Sequence, residues 1–263
     1  MTRAKWTISV VSHGHGKMVA ELLRNLIKYD LDQISKVIIT INSPSVDPDL
    51  VDLSASIKGH VVPLELMWLI NLQPIGFGNN HNNASALCET EYFGVLNPDI
   101  QLQSSNFANL LVALEPLVIG LAYPAQRSTD NHELDCARSL VTPQALLRRY
   151  ANQLMGKSEP VDNLNKKVDW VSGSFMGFKT SAFRSIGGFD ERYFMYCEDV
   201  DICLRLQLAG YKLAKADATV IHHTQRRTLK NLQHLAWHVR SLLRLWNSAP
   251  YKQYKRWFID NKA

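Results

Sequence analysis

Apolar, β-branched runs alternate along this chain with stretches of helical periodicity, and that alternation restricts it to a sheet carrying helices on its faces. Residues 6–12 are β-rich, residues 18–27 place apolar side chains at 18, 19, 22, 23, 26 and 27, and residues 37–41 are again β-branched. The order is strand, helix, strand. Residues 64–70 make a third strand, a helix begins near Asn79, and residues 92–96 form a further strand ending in Asn97-Pro98-Asp99. Such a succession predicts an α/β fold with a mostly parallel central sheet flanked by helices. Ligands of these sheets bind beyond the carboxyl ends of the strands, so the polar loops at residues 12–16, 42–45, 71–83 and 97–99 share the rim to watch.

The second half repeats the elements less regularly. Residues 102–114 read as helix, 118–123 as strand, 126–135 as a polar loop and 143–154 as helix, while the polar segment 156–167 fits a lid or a boundary between half-domains. Residues 167–179 are strand-like with a break at Ser172, Gly173 and Ser174. Two short strands, 211–216 and 218–221, follow, the second delivering His222 and His223. A helix over 229–246 then gathers Leu232, Leu235, Ala236, Val239, Leu242, Leu243 and Trp246 on one face.

Charge is unevenly spread. The formal net charge is +5, and after His223 come Arg226, Arg227, Lys230, Arg240, Arg244, Lys252, Lys255, Arg256 and Lys262 against Asp260 alone, so the body is near neutral and the tail basic. That tail, with Tyr251, Tyr254, Trp257 and Phe258, reads either as an amphipathic surface for an anionic membrane or as a solvated face with helix-packing aromatics. No stretch approaches the ~20 apolar residues of a membrane span, and the run at residues 6–11 falls short of a signal-peptide core. The four cysteines lack C-x-x-C spacing, which favours reduced thiols over a zinc site. Together these features predict a cytoplasmic protein, soluble or peripheral at the inner face of the cytoplasmic membrane.

Chemistry concentrates in residues 187–205, GGFDERYFMYCEDVDICLR. Glu198, Asp199 and Asp201 fall in the first turn of a helix closed by Gly210, where backbone N–H groups favour negative charge. Asp201 and Arg205 make an i, i+4 pair that locks the helix face. Capping is the plain alternative for the acids. His13-Gly14-His15-Gly16 reads as a tight turn rather than a metal pair. In the loop at 71–83, Gly76 and Gly78 permit close backbone approach, while Asn79, Asn80, Asn82 and Asn83 supply donors and acceptors suited to a base or sugar, or else make a plain loop with a helix cap. No Gly-Lys-Ser/Thr follows, so it is not a P-loop. Asp99 at a strand end is a carboxylate placed to hold a divalent cation against a diphosphate.

In this order the motifs resemble the family 2 glycosyltransferases with a GT-A fold, in particular the rhamnosyltransferase-like branch that builds bacterial surface polysaccharides such as O-antigen. The likeness spans about residues 6–224 and is most specific at Trp170-Val171-Ser172-Gly173-Ser174, Gly188-Phe189-Asp190-Glu191 and Tyr196-Cys197-Glu198-Asp199-Val200-Asp201 with Arg205. It implies an inverting enzyme that moves rhamnose or a similar hexose from a nucleoside-diphosphate sugar to a hydroxyl of a saccharide or lipid-linked saccharide. Asp199 would be the catalytic base, with Glu198 its near alternative. Ser12, Gly14, Asn42, Gly76, Phe77, Gly78, Asn82, Asn97 and Asp99 would line the nucleotide-sugar site, and Trp170, Gly173, Ser174 and Tyr196 the acceptor site. A divalent cation, Mg²⁺ or Mn²⁺, would sit at Asp99 and His222, with His223 second choice. The implied division is a glycosyltransferase domain over 1–224, with a nucleotide-sugar half at 1–100 and an acceptor half at 101–224, followed by the basic tail at 225–263. Two positions depart from the family pattern: Ile41 precedes Asn42 where relatives carry Asp-Asn, and Asn97 replaces the first Asp of Asp-x-Asp. The rival readings are a nucleotidyltransferase and a non-catalytic protein binding nucleic acid or a partner through its tail, although no nucleic-acid-binding motif is present.

Overall fold

Val, Ile and Leu fill β1 (Trp6–Ser12), β2 (Ile34–Ile41) and β4 (Tyr92–Leu96), and burial from both faces leaves these strands almost wholly inaccessible. The structure is a computed structural model describing residues 5–43, 64–155, 168–223 and 232–260. The segment at 156–167 and Ser45 therefore lie outside the described residues. From β1 the chain crosses through α1 (Gly16–Asp30), which turns Val19, Leu22, Leu23 and Leu26 inward, to β2, and then adds β3 (Glu65–Ile70). The next helix, α2 (Phe77–Ala86), returns it to β4 beside β1. Every pairing in this half is parallel, as its alternation requires.

Beyond β4 come β5 (Ile100–Leu102), α3 (Phe107–Leu114), β6 (Ile119–Arg127), β7 (Glu133–Leu134), β8 (Ala137–Arg138), α4 (Pro143–Leu154), β9 (Trp170–Val171), β10 (Phe175–Lys179), α5 (Thr180–Ser185), α6 (Glu198–Leu208), β11 (Lys212–His222), α7 (Leu232–Asn247) and α8 (Ala249–Asp260). The nine-stranded sheet runs β3-β2-β1-β4-β10-β6-β11-β5, with β7 on β6, while β8 and β9 pair separately. Here the sheet becomes mixed, because β10 enters antiparallel between β4 and β6. Its first residue, Phe175, lies opposite Leu96, the last of β4, so the break at residues 172–174 is delivered to the rim of the parallel half.

Two expectations change for physical reasons. The helix expected from residue 102 starts at Phe107, because residues 100–102 pair with β11. The two strands expected at 211–216 and 218–221 are one: Tyr123 pairs with Lys215 and Ala125 with Thr219, so β11 bulges opposite Pro124, which has no N–H to give a neighbour.

One apolar layer packs α1 and α3 on the sheet, and a second packs α2, α5 and α6 with the C-terminal helices. Tyr251 and Tyr254 of the tail belong to that second core, the Tyr254 hydroxyl donating to Asp169 Oδ1 at 2.7 Å. The sheet itself runs through residue 100, since β5 begins at Ile100. Of the apolar face expected on the 229–246 helix, Leu242 is buried and Trp246 partly so, whereas Leu232, Leu235, Val239 and Leu243 point outward.

Candidate active site

The rim of the parallel half is assembled by amide side chains. Asn42 N–H donates to Ser12 O at 2.8 Å, and Asn71 N–H to Ile41 O at 3.0 Å, drawing the loops after β1, β2 and β3 together. Asn42 Oδ1 accepts from Asn71 Nδ2 and Ile75 N, both at 2.9 Å, while its Nδ2 donates to Ile75 O at 2.9 Å. Asn42 was expected against the nucleotide, but its amide is spent holding the loop at 71–76. Asn80 extends the network, accepting from Asn71 Nδ2 at 2.7 Å and donating to Gly76 O at 2.9 Å. Ser12 is buried with Oγ accepting His15 N–H at 3.2 Å, and Gly14, at φ +74°, turns the chain into α1.

The glycines at the start of α2 have a packing role as well. A Cβ on Gly78 would lie 2.6 Å from Phe189 Cβ, and one on Gly76 would lie 2.8 Å from Tyr193 O. Their small size lets α2 pack on the segment leading to the acidic helix. Asn82 is a clasp on the same segment: it donates from Nδ2 to Phe189 O and accepts Phe189 N–H at Oδ1, both at 2.9 Å. Phe77 is half-buried, edge-on to His81 with centroids 4.4 Å apart, and it borders Gly173. Gly78→Ala is expected to destabilise the protein by about 1–3 kcal/mol through overpacking against Phe189; a denaturant midpoint equal to wild type would refute that account.

Two successive residues in left-handed conformation, Tyr196 at φ 71° and Cys197 at φ 65°, bend the chain into α6. Strain of about 1–3 kcal/mol per such residue persists where surrounding structure fixes it, and here the bend aims the first helical turn. Asp199 Oδ2 accepts Gly173 N–H at 3.2 Å and its Oδ1 accepts Val200 N–H at 2.9 Å. Burial raises its pKa, against the pull of those two N–H groups and of the Arg138 charge. Glu198 is buried, its Oε2 has no hydrogen-bond partner among the described residues, and burial together with the Asp199 charge pushes its pKa well up. Burial raises both carboxyls, and the two N–H groups on Asp199, which Glu198 lacks, favour the charged form at Asp199. Asp201 is buried in an ion pair with Arg205 at 2.6 Å, and Arg205 also donates to Ile186 O at 2.8 Å, so this pair is structural.

Across the rim, β5 and β11 bring Asp99 and His222 together, since His222 pairs with Ile100. His222 Nε2 stands 3.3 Å from Asp99 Oδ1, and that buried oxygen has no hydrogen-bond partner among the described residues. Two groups face each other at contact distance without a hydrogen bond between them. On its other side His222 Nδ1 meets Gln126 Oε1 at 2.9 Å, and Gln126 is tied to Ser174, whose Oγ contacts Ser172 Oγ at 3.0 Å. An acceptor on Nδ1 orients the ring with Nε2 toward Asp99, the arrangement of a metal-ligating histidine. The orphaned Asp99 oxygen and this Nε2 fit a divalent cation that completes its shell with phosphate oxygens and water. His223 points elsewhere, its Nε2 at 3.1 Å from Gln101 Oε1 on the surface. Asn97 is held through its backbone, its N–H donating to Ser174 O at 2.8 Å.

Comparison with known proteins fits this arrangement. The profile of the family described as Glycosyl transferase family group 2 matches residues 138–261. The rhamnosyltransferase WbbL of Escherichia coli K12 is 30% identical over 256 residues, covering 90% of each chain. This chain belongs to the family 2 glycosyltransferases. It falls in their rhamnosyltransferase-like branch: the N-acetylglucosaminyl-diphospho-decaprenol L-rhamnosyltransferase of Mycobacterium tuberculosis is 33% identical over 162 residues, 56% of this chain and 52% of that protein. Its fold is GT-A, superposing with a TM-score of 0.64 and 16% identity on the mannosyltransferase PcManGT of Pyrobaculum calidifontis, solved with GDP-Man and Mn²⁺, over 97% of this chain and 68% of that one.

In this glycosyltransferase the residues expected on the acceptor side are placed as follows. Trp170 is buried, its indole N–H donates to Ser139 O at 2.9 Å and its ring lies under Arg138, so it supports β9 instead of lining an open cleft. Gly173 and Ser174 do reach the site, one on Asp199 and the other on Gln126. Tyr196 hydrogen-bonds through its hydroxyl to His234 Nδ1 at 2.8 Å, and α7 adds Trp237 against Phe194 with centroids 4.8 Å apart. Gln126, Arg138, His234 and Trp237 were not legible as site residues. A strand carried past Pro124 would have placed Gln126 at its carboxyl end, which is the one signal available.

Proposed function

We propose that this glycosyltransferase moves a hexose, rhamnose or one like it, from a nucleoside-diphosphate sugar to a hydroxyl of a saccharide or lipid-linked saccharide during surface polysaccharide synthesis, with inversion at the anomeric carbon. Its likeness to relatives named as rhamnosyltransferases, one of them acting on a diphospho-decaprenol substrate, supports this reading. The observation that carries it is geometric: Asp199, bonded to Gly173 N–H, is joined through Ser174 and Gln126 to the Asp99–His222 pair. One end suits an acceptor hydroxyl and the other a diphosphate.

The acceptor hydroxyl comes within ~2.6–3.2 Å of Asp199. Asp199 takes its proton as the oxygen bonds to the anomeric carbon, and the electron pair of the breaking C–O bond leaves on the diphosphate. Burial and the Asp199 charge favour the protonated form of Glu198, which lessens the repulsion on an ionised Asp199 before the transfer. Asp99 and His222 would hold a cation, Mg²⁺ or Mn²⁺, that neutralises charge on the departing group when bound. Ser12, Gly14, Phe77 and Asn97 border the nucleotide side, and Tyr196 the acceptor side.

A thermal-shift screen of UDP-, dTDP- and GDP-sugars, each with and without Mg²⁺ or Mn²⁺, tests the donor reading. One nucleotide class is expected to raise the melting temperature more with cation than without, because a ligand at a hundred times its Kd stabilises the native state by about 2.7 kcal/mol. No shift and no product with any donor would end the proposal.

A further inference from the structure

We infer that the outward face of α7 docks on an anionic lipid bilayer. Leu232, Leu235, Val239 and Leu243 are 86%, 36%, 48% and 54% exposed. At about 100° per residue their spacing of three, four and four puts them within an arc of about 80°, a single stripe along the helix. Isolated exposed leucines are ordinary on a protein surface; an aligned row is not.

The opposite face of α7 is what fixes the stripe outward. Ser241 and Leu245 are buried there, Ser241 Oγ donates to Met195 O at 2.8 Å and the Trp237 ring packs on Phe194, while Leu242, on the flank beside Leu235, is buried as well. The helix therefore has two apolar faces and uses one.

Charge selects the occupant. Among residues 232–260, Arg240, Arg244, Lys252, Lys255 and Arg256 stand against Asp260 alone, and Arg240, Lys252, Lys255 and Arg256 are exposed. Apolar contact flanked by cations is complementary to anionic headgroups over an acyl interior. A second copy of this chain would instead oppose like charges across the contact. Position agrees as well: α7 holds Met195, just before the turn that aims Asp199, and Tyr196, the first residue of that turn, so a bilayer under α7 lies close to the acceptor side. This deepens the lipid-linked reading of the acceptor and rests on it only for that last point.

The test is flotation of the full chain with vesicles of phosphatidylcholine containing about 30% phosphatidylglycerol, and with phosphatidylcholine alone. The wild type is expected to float with the anionic vesicles and to be released by salt. A triple variant, Leu235→Gln/Val239→Gln/Leu243→Gln, should lose at least about tenfold of that partition with an unchanged melting curve, because these side chains are exposed. Failure of the wild type to float, or equal flotation of the variant, overturns the inference. So does a wild-type dimer without flotation that the variant dissociates, which would give the stripe to a second copy. Transfer to a water-soluble acceptor analogue, run on both proteins, is expected to be equal. Flotation as expected with no transfer by either would uphold the docking face and overturn the catalytic reading, so the two fail separately.

Discussion

Asp199→Asn is expected to cut turnover about 10²–10⁴-fold, the usual worth of a positioned general base, while donor affinity stays near wild type. The amide is nearly isosteric, and its one oxygen keeps either the Gly173 or the Val200 N–H bond while its NH2 cannot accept the other, so the first turn of α6 loses one of its two anchors. Glu198→Gln should behave differently. If Glu198 is already protonated, a neutral amide replaces a neutral acid and turnover falls far less. Burial raises the pKa of both groups, with the Asp199 charge adding to that of Glu198. Turnover should consequently fall on the acid side at a pH above the ordinary carboxylate range, as Asp199 takes a proton. Stability moves the other way. A carboxyl raised on folding binds more protons in the native than in the unfolded protein, so its contribution is present below its ordinary value of 4.5 and is lost as pH rises through the folded value. Glu198→Gln removes that loss, and its melting temperature should decline less from about pH 5 upward than that of wild type. Turnover of Asp199→Asn within a few-fold of wild type, or a Glu198→Gln defect as deep as that of Asp199→Asn, would show that the base has been misassigned.

The elements that local pattern decides were legible in the sequence. Three of them, β1, β4 and α4, have the bounds that periodicity and β-branching gave. The parallel half followed from alternation alone. What stayed hidden depends on partners remote in the chain. Gly76 and Gly78 looked like a ligand loop because a glycine shows only that something comes close; which atom comes close, here Phe189 and Tyr193, is settled by packing across more than a hundred residues of sequence. Asn42 and Asn82 carry the donors and acceptors a nucleotide would need, yet the same groups satisfy backbone. Gln126 was lost for a different reason: Pro124 reads as a strand end, and only the bulge in β11 lets β6 continue past it. The apolar residues of the 229–246 helix read as one face, but periodicity says only that a face is apolar, not what covers it.

Asp99→Ala and His222→Ala should each abolish measurable binding of Mn²⁺ in the presence of nucleoside diphosphate, followed by electron paramagnetic resonance of the free ion without any turnover. With two protein ligands and the remainder from phosphate and water, losing either leaves one. Gln126 separates orientation from ligation. Its Oε1 accepts from His222 Nδ1 at 2.9 Å and it touches no cation itself. Gln126→Leu removes that acceptor and frees the ring to turn, which should weaken binding about 10–100-fold, whereas Gln126→Glu keeps an acceptor and should retain affinity. His223→Ala provides the opposite control, since that ring faces Gln101 at the surface and should leave binding unchanged. Were His223→Ala to match His222→Ala, the ligand would be the wrong histidine. Were Gln126→Leu silent, Gln126 would serve only to tie β6 to Ser174. The ordered losses, complete at Asp99 and His222, partial at Gln126→Leu and absent at His223, are what a cation held by one carboxylate and one oriented imidazole requires.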